Sequence, residues 1–493
     1  MRPCPSDRLA VRIDRPVATR GRYVLYWMTS ARRTEHNIAL DHAVAHARRL
    51  GKPLVIFEPL RLGYRWASDR FHRFVLDGMA ANAAACAAAG ITYYPYVEPE
   101  VGAGRGLLAA LAADAAVVVT DLQPGFFVPR MVAAAATQLT TRLEEVDGCG
   151  LLPLAAHGRA FATAASFRWH WQKVLPAHLG YAPSPAPLTD GPAGLGGAEV
   201  SAAIRRRWPA AKAPLLAGAG LDALPLDHAV GPVTYRGGAP AANAALAEFV
   251  RRRLARYADE RSQPSSDAAS GLSPYLHFGH VGVHAIAAAV WRSAGWDPGR
   301  VVGVRPNGKR EGWWGLPGPA EAFMDELFTW RELGYGFCHY RPDYDQYESL
   351  PDWARASLDA HADDPRPHRY ELADLERAAT HDPLWNAAQR QLVVEGRIHN
   401  YLRMLWGKKI LEWSPSPRAA LATLIELNNK YAVDGRDPNS YSGIFWTLGR
   451  FDRPWGPERP IFGVIRYMTS QSTAKKFKVG DYLATWSGQP RLI

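Results

Sequence analysis

Between residues 22 and 150, short apolar runs of strand length alternate with stretches of helical apolar spacing. No other feature limits the possible folds as much. Tyr23 to Met28 (YVLYWM) reads as a strand, and residues 35–50 read as a helix ending in Arg48, Arg49 and the stop residue Gly51. Leu54 to Phe57, Ile91 to Val97 and Ala116 to Thr120 are further strand-like runs. Helical stretches over 69–89 and from Leu107 to Ala113 separate them. This pitch predicts an α/β domain over residues 21–150, with a parallel, Rossmann-like sheet covered on both faces. A flat cofactor would dock at the carboxyl ends of its strands, although no G-x-G-x-x-G follows the first one.

The flanking segments differ in character. Residues 1–20 are Arg-rich with no apolar core behind them, which argues against a secretory signal and suggests a flexible arm. Residues 151–235 hold Pro183, Pro185, Pro187, Gly191, Pro192, Gly194, Gly196 and Gly197, the composition of an interdomain linker. From 236 to 493 the pattern is helical and aromatic with almost no strand signal, which predicts an all-α second domain. Within it, Gly303 to Lys309 (GVRPNGK) matches G-x-x-x-x-G-K. Arg310 stands where a magnesium-binding hydroxyl is needed, so this is no working phosphate loop.

Composition narrows the function classes. With 47% hydrophobic and 21% charged residues, the 493-residue chain is neither disordered nor fibrous. Its net charge of +11 favours a polyanionic partner or an acidic substrate. Only ten of the 58 basic residues are lysine. Arginine grips phosphate and stacks on bases, but GC-rich coding produces the same excess. The four cysteines show no C-x-x-C spacing, so the reading is a reduced, cytoplasmic chain with no zinc cluster and no metal site. No run is apolar enough to predict a membrane span. The 17 Trp and 20 Tyr suit either stacking on flat ligands and electron transfer or an aromatic core.

Five constellations carry chemistry, three of them with a plain structural alternative. Ser270 to Gly279 (SGLSPYLHFG) combines hydroxyls with Pro274, which suits a helix start facing phosphate or a simple cap. Tyr257 lies upstream on an Arg-rich helix. Glu326 and Trp330 are four residues apart on one helical face, as a base-reading pair or as a surface pair. Trp406 and Trp413 are seven apart, with Trp385 on a preceding helix, as an electron relay or as heptad-like core contacts. Residues 426–455 gather Asn428, Asn429, Asp434, Arg436, Asp437 and Asn439 beside Trp446 and Trp455, which suits a buried hydrogen-bonding ligand. Lys475, Lys476 and Lys478 around Phe477 suit phosphate.

Taken together and in order, SGLSPYLHFG (270–279), DELFTWREL (325–333), LWNAAQ (384–389), RMLWGKKILEW (403–413), DGRDPNSYSGI (434–444) and RPIFGVIRYM (459–468) resemble class II cyclobutane pyrimidine dimer photolyases of the photolyase and cryptochrome family. The resemblance runs over nearly the whole chain from Arg22. It implies an N-terminal antenna domain, with an 8-hydroxy-deazaflavin-type pigment as its candidate chromophore, and a helical C-terminal domain holding FAD, active as FADH⁻. By position, Tyr257, Ala269, Ser270, Gly271, Leu272 and Ser273 would bind FAD. Asn428 would steady the flavin near N5, and Asp434 and Asp437 would face its polar edge. Trp406, Trp385 and Trp413 would form the photoreduction chain in that order. Glu326 would hydrogen-bond the dimer, Trp330 and Trp446 would wedge it, and Tyr401 and Met404 would line its pocket. Asp452 and Arg453 would lie near the lesion, with Lys475 and Lys476 on phosphate.

The implied function is light-dependent repair of pyrimidine dimers in UV-damaged DNA by a monomer with no obligate protein partner, cytoplasmic and nucleoid-associated on DNA. A cryptochrome-like photoreceptor that binds FAD without repair is the alternative. The segment GKREGWWGLPG (308–318) lengthens the loop before Glu326 relative to the family pattern.

Overall fold

Val24 to Trp27 pairs in parallel with Leu54 to Phe57 on one side and with Val117 to Thr120 on the other. That central pairing organises the first half of the computed structural model, which describes residues 4–189 and 197–488. The six strands are β1 (Leu9–Ile13), β2 (Tyr23–Trp27), β3 (Leu54–Leu60), β4 (Thr92–Val97), β5 (Ala115–Asp121) and β6 (Leu143–Val146). Their order is β1-β6-β5-β2-β3-β4, parallel except for the antiparallel edge strand β1. The chain steps outward from β2 through β3 to β4, then returns to β5 on the other side of β2. Ligands of such sheets bind at the carboxyl ends beside this reversal.

The helices α1 (Ile38–Leu50), α2 (Asp69–Ala88), α3 (Leu107–Ala113) and α4 (Val128–Gln138) join these strands. Asn37 caps α1 by accepting from the Leu40 N–H, and Gly51 closes it at φ 61°. β2 and β5 are buried along their whole length, so both faces of the sheet are covered.

Within the expected arm over 1–20, residues 8–13 are fixed to the sheet unit. Residues 9–13 pair with β6, and the buried Arg8 guanidinium donates to the carbonyls of Asp147, Gly150 and Leu151. β6 itself, LEEV, carries two buried glutamates. His42 Nε2 and His46 Nε2 each lie 2.7 Å from Glu144 Oε2, and Arg142 Nε donates to Oε1 at 2.5 Å. Burial raises the Glu144 pKa, but these hydrogen bonds outweigh it and hold the carboxyl well below the carboxylate range. The three groups are of metal-ligand type. However, Arg49 donates to His46 Nδ1 at 2.7 Å, which leaves the proton on Nε2 and makes that atom a donor to Glu144.

The chain divides into two compact units, at boundaries other than the sequence suggests. Residues 1–158, 173–250 and 271–304 form the first, and 159–172, 251–270 and 305–493 the second. The expected linker over 151–235 includes the helix Ala164–Val174 and is shared between the units. Gly191, Pro192, Gly194 and Gly196 lie outside the described residues. Helices Ala239–Glu248 and Val283–Ser293, expected in the second domain, group with the sheet. Helical periodicity identifies an apolar face but not which neighbour covers it. The second unit is helical, led by Gly318–Met324, Arg331–Tyr340, Pro383–Glu395, Asn400–Trp413, Pro417–Tyr431 and Pro438–Trp446. Among the described residues, no helix is long and apolar enough to cross a membrane.

One carboxylate locks the sheet end. Asp121 Oδ2 accepts from the N–H groups of Thr29, Ser30 and Ala31 at 2.8, 2.9 and 3.1 Å, and Oδ1 accepts from the Tyr26 hydroxyl at 2.7 Å. Asp121→Ala strands these buried and half-buried donors and is expected to cost roughly 2–4 kcal/mol. Chemical denaturation checks this, and an unchanged midpoint contradicts it.

Candidate active site

The tryptophans expected to act together are in ring contact. Trp385 lies parallel to Trp406, with an interplanar angle of 3° and a centroid distance of 6.5 Å, and meets Trp413 edge-on at 5.4 Å. All three are buried. The pair of helices Pro383–Glu395 and Asn400–Trp413 fixes them: Trp385 Nε1 donates to the Trp406 carbonyl at 3.0 Å, and Trp406 Nε1 to Gln389 Oε1 at 2.9 Å. Asp382 caps the first helix through the N–H groups of Leu384 and Trp385. Beyond Trp413 stand Tyr370 and His381, at centroid distances of 5.2 and 5.4 Å, with the Tyr370 hydroxyl 2.6 Å from His381 Nδ1.

A buried polar tier sits on the helix Pro417–Tyr431 and the turn after it. Asn428 Nδ2 donates to Asn429 Oδ1 at 3.0 Å and to Ser440 Oγ at 2.9 Å. Asn429 in turn accepts from the Arg436 N–H and donates to the Tyr441 hydroxyl. Asp437 caps the helix Pro438–Trp446 through the Asn439 N–H and accepts from the Tyr335 hydroxyl at 2.7 Å. That helix lies so close to Arg331–Tyr340 that a Cβ on Gly334 would sit 2.5 Å from Ser442 Oγ. Asp434 differs from its neighbours. Arg403 stands 3.6 Å from Oδ2, while the buried Oδ1 has no hydrogen-bond partner. A buried carboxylate oxygen without a donor is costly, and the polar edge of a flat heterocycle would satisfy it.

Glu326 lies in a π-helical segment, Asp325–Trp330, which joins the flanking helices. Such bulges often mark functional sites. Its carboxylate pairs with Arg261, whose guanidinium lies 5.5 Å from the Tyr257 ring centre. Burial raises the Glu326 carboxyl above its ordinary value, and Arg261 pulls it back only in part. Arg261 is a site residue the sequence reading missed. Trp330 is half-buried one turn on.

Trp446 sits over two cations, with Lys408 Nζ 5.1 Å and Arg466 Cζ 5.4 Å from its ring centre. Asp452 and Arg453 do not pair through their side chains. Asp452 binds Arg466 Nε at 2.9 Å and Trp455 Nε1 at 3.1 Å, while Arg453 lies over the Trp455 ring. Lys408, Trp455 and Arg466 thus join the site. Arg466 and Lys408 were visible inside RPIFGVIRYM and RMLWGKKILEW, but nothing in the spacing marked them.

Tyr401 packs edge-on against Phe477, under Lys476, on the basic C-terminal segment, and Met404 is half-buried one turn along. Lys475 and Lys476 are exposed at the end of the helix Ser470–Lys476. In the second unit the Ala269 carbonyl accepts from Arg253, and Ser270 ends its segment. Gly271, Leu272 and Ser273 belong to the first unit, where they lead into the short helix Ser273–His277.

No protein-family model matches the chain. It is 32% identical over 465 residues to the deoxyribodipyrimidine photo-lyase of Methanothermobacter thermautotrophicus, covering 94% of each chain. It is 31% identical to that of Arabidopsis thaliana, over 94% of this chain and 88% of the other. With that of Oryza sativa subsp. japonica it shares 33% identity, over 94% and 87%. In fold it is similar to a class III photolyase from Agrobacterium tumefaciens, with a TM-score of 0.66 and 18% identity over 94% and 86% of the chains. It is equally similar to a Synechocystis cryptochrome, with a TM-score of 0.66 and 15% identity over 94% and 88%.

Lys408 yields a pH prediction. It is fully buried, donates to the Thr447 carbonyl at 2.6 Å, and burial pushes its ammonium down to about 7. The unfolded chain keeps that proton to roughly pH 10.4. Between these values the unfolded state binds more protons, so stability rises with pH across the window and is lost as pH falls through about 7. Urea midpoints at pH 7 and 9 test this. Lys408→Met is expected to flatten the rise, and an identical slope in the variant contradicts the assignment.

Proposed function

The chain belongs to the photolyase and cryptochrome family, and we propose that it repairs cyclobutane pyrimidine dimers in DNA under blue light, as a class II enzyme. The observation that carries this reading is the unbroken ring contact of three buried tryptophans, Trp406, Trp385 and Trp413. A core needs volume; a relay needs continuous aromatic contact.

The residues present fit FAD. Asp434 offers an unsatisfied buried acceptor, Asn428 a buried amide, and Asp437 a fixed carboxylate. These, with Tyr257, Ala269 and Ser270, would hold it in the second unit. Gly271, Leu272 and Ser273 are FAD-binding residues on the resemblance alone. Bound and reduced, FAD supplies the photoexcited electron that opens the cyclobutane ring, which no side chain here can supply.

The protein's own groups position and polarise. The dimer must leave the duplex, at a cost of a few kcal/mol that is smallest for a damaged pair. Trp330 and Trp446 offer faces on which the everted bases stack. Glu326 would hydrogen-bond the dimer at its thymine carbonyls, and Arg261 fixes its orientation. Arg453, Lys475 and Lys476 meet phosphates.

A second chromophore fits the first unit. At the ends of β3 and β5, Trp66 stacks on Phe126 at 6.0 Å, both with positive φ, at 70° and 60°. Bulky residues rarely accept that conformation. Trp66 Nε1 and Gln123 Oε1 are buried there without partners. We assign this cradle to an antenna pigment of deazaflavin type. The enzyme acts as a monomer in the cytoplasm, associating with the nucleoid through DNA.

Reduced protein incubated with a dimer-containing oligonucleotide under blue light is expected to restore thymines. Absence of light-dependent repair, with flavin bound, points to a photoreceptor instead. Trp406→Phe is expected to abolish photoreduction yet spare repair by chemically reduced protein. Loss of both removes it from the relay. Glu326→Ala is expected to lower repair about tenfold, equivalent to the ~1.5 kcal/mol of one hydrogen bond to a charged group, with flavin retained. An unchanged yield takes Glu326 out of the lesion pocket.

A further inference from the structure

The segment ahead of the helix Gly318–Met324 is polar and rich in glycine, yet it is held as firmly as a core element. Gln172 Oε1 accepts from the N–H groups of Asn307 and Gly308 at 3.0 and 2.8 Å, and Gln172 Nε2 donates to the Lys309 carbonyl at 3.1 Å. Glu321 accepts from the N–H groups of Gly312 and Trp314 at 2.8 and 2.9 Å. Trp313 and Trp314 are buried against Trp171, at centroid distances of 5.1 and 5.4 Å. Arg168 Nη1 reaches the Gly308 carbonyl at 3.2 Å, while its other nitrogens grip Asp325 at 2.7 and 3.0 Å, one residue from Glu326.

What this scaffold displays is cationic. Arg305, Lys309 and Arg310 are exposed, and among the described residues none of them makes an ion pair. Beside them Trp169 is half exposed, at 50%, the most exposed tryptophan among the large hydrophobics open to solvent. A Cβ on Gly308 would sit 3.5 Å from the Trp169 Cβ, so the indole and the basic loop share one surface. Arg310 is close enough for its charge to act on Glu326. Ordering a loop costs about 1–2 kcal/mol per residue. Here that cost holds three cations that make no ion pair among the described residues on a loop whose Gly308 approaches the exposed Trp169. Cations along a backbone track with an aromatic plate between them is the physical signature of a site for single-stranded nucleic acid.

We propose that Trp169 with Arg305, Lys309 and Arg310 forms an accessory DNA surface that binds an unpaired stretch of strand, stacking one base on the indole and pairing the cations with its phosphates. The inference rests on the DNA-repair reading. Everting a dimer leaves unpaired nucleotides beside the lesion, and this surface lies alongside the segment that carries Glu326.

The test uses full-length, flavin-loaded protein in the dark with an undamaged single-stranded oligonucleotide, measured by fluorescence anisotropy over a salt series. Each phosphate contact on a single strand contributes about 0.7 to the log–log salt slope. The variant R305Q/K309Q/R310Q is expected to flatten the slope by roughly 2, and Trp169→Ala to weaken binding about fivefold or more. Flavin content serves as the folding control. Affinity within twofold of the parent and an unchanged slope in both variants overturn the proposal. Loss of flavin with unchanged DNA binding also overturns it, by assigning the cations to cofactor phosphate. Because the probe carries no dimer and needs no light, failure of the repair assay leaves this measurement readable, and the two readings fall separately.

Discussion

The bidentate pair between Arg168 and Asp325 sustains much of the second unit. Asp325 also accepts from the Thr329 hydroxyl at 2.6 Å, and Thr329 accepts from Trp171 Nε1 at 3.1 Å. One buried carboxylate thereby ties the helix Ala164–Val174 to the π-helical segment that presents Glu326 and Trp330, and through Arg168 to the basic loop. Breaking a buried pair on one side leaves an uncompensated charge, at a cost of roughly 3–5 kcal/mol. The same feature that makes the pair expensive to break keeps Glu326 in a fixed place, and the role proposed for it needs that fixity more than it needs strength.

The other buried charges divide by how well they are satisfied. Asp121 and Glu144 each gather several donors and act as structural fasteners. Among the described residues Asp434 Oδ1 has none, and Lys408 meets a carbonyl and an aromatic face. Fully satisfied groups have no capacity left for a ligand; under-satisfied ones hold polarity in reserve. Sorting the buried charges this way separates scaffold from site without reference to any relative. It also explains why His42 and His46 read as hydrogen-bond donors, although their spacing alone suits a metal.

The parallel core was legible because β2, β3 and β5 are continuous apolar runs, and α1 because Asn37 and Gly51 bracket it. β6 was not, since two of its four residues are glutamates whose burial depends on His42, His46, Arg142 and Arg12, up to 133 positions away in sequence. The domain boundaries failed for a related reason: helices Ala239–Glu248 and Val283–Ser293 look like any others until their covering surface is known. At the site, Trp385, Trp406 and Trp413 could be grouped from helical spacing, whereas Arg261, Arg466 and Lys408 are single charges whose partners lie on other elements. Periodicity reports on one face of one element, while ion pairs between elements leave no local trace.

The aromatic excess is then accounted for by division of labour. Trp385, Trp406 and Trp413 are buried, with Trp385 in ring contact with each of the other two. Trp313 and Trp314 are buried as packing under a loop. Trp169 is exposed and Trp330, Trp446 and Trp455 are partly exposed, and Trp446 and Trp455 share the Arg466 cation. An indole left partly in water forgoes hydrophobic stabilisation that full burial would provide. A chain that accepts this at several places, with cations beside most of them, is organised for flat, negatively charged ligands. Under the proposed function an everted base with its phosphate is such a ligand, and stacking on these rings would offset the cost of its eversion.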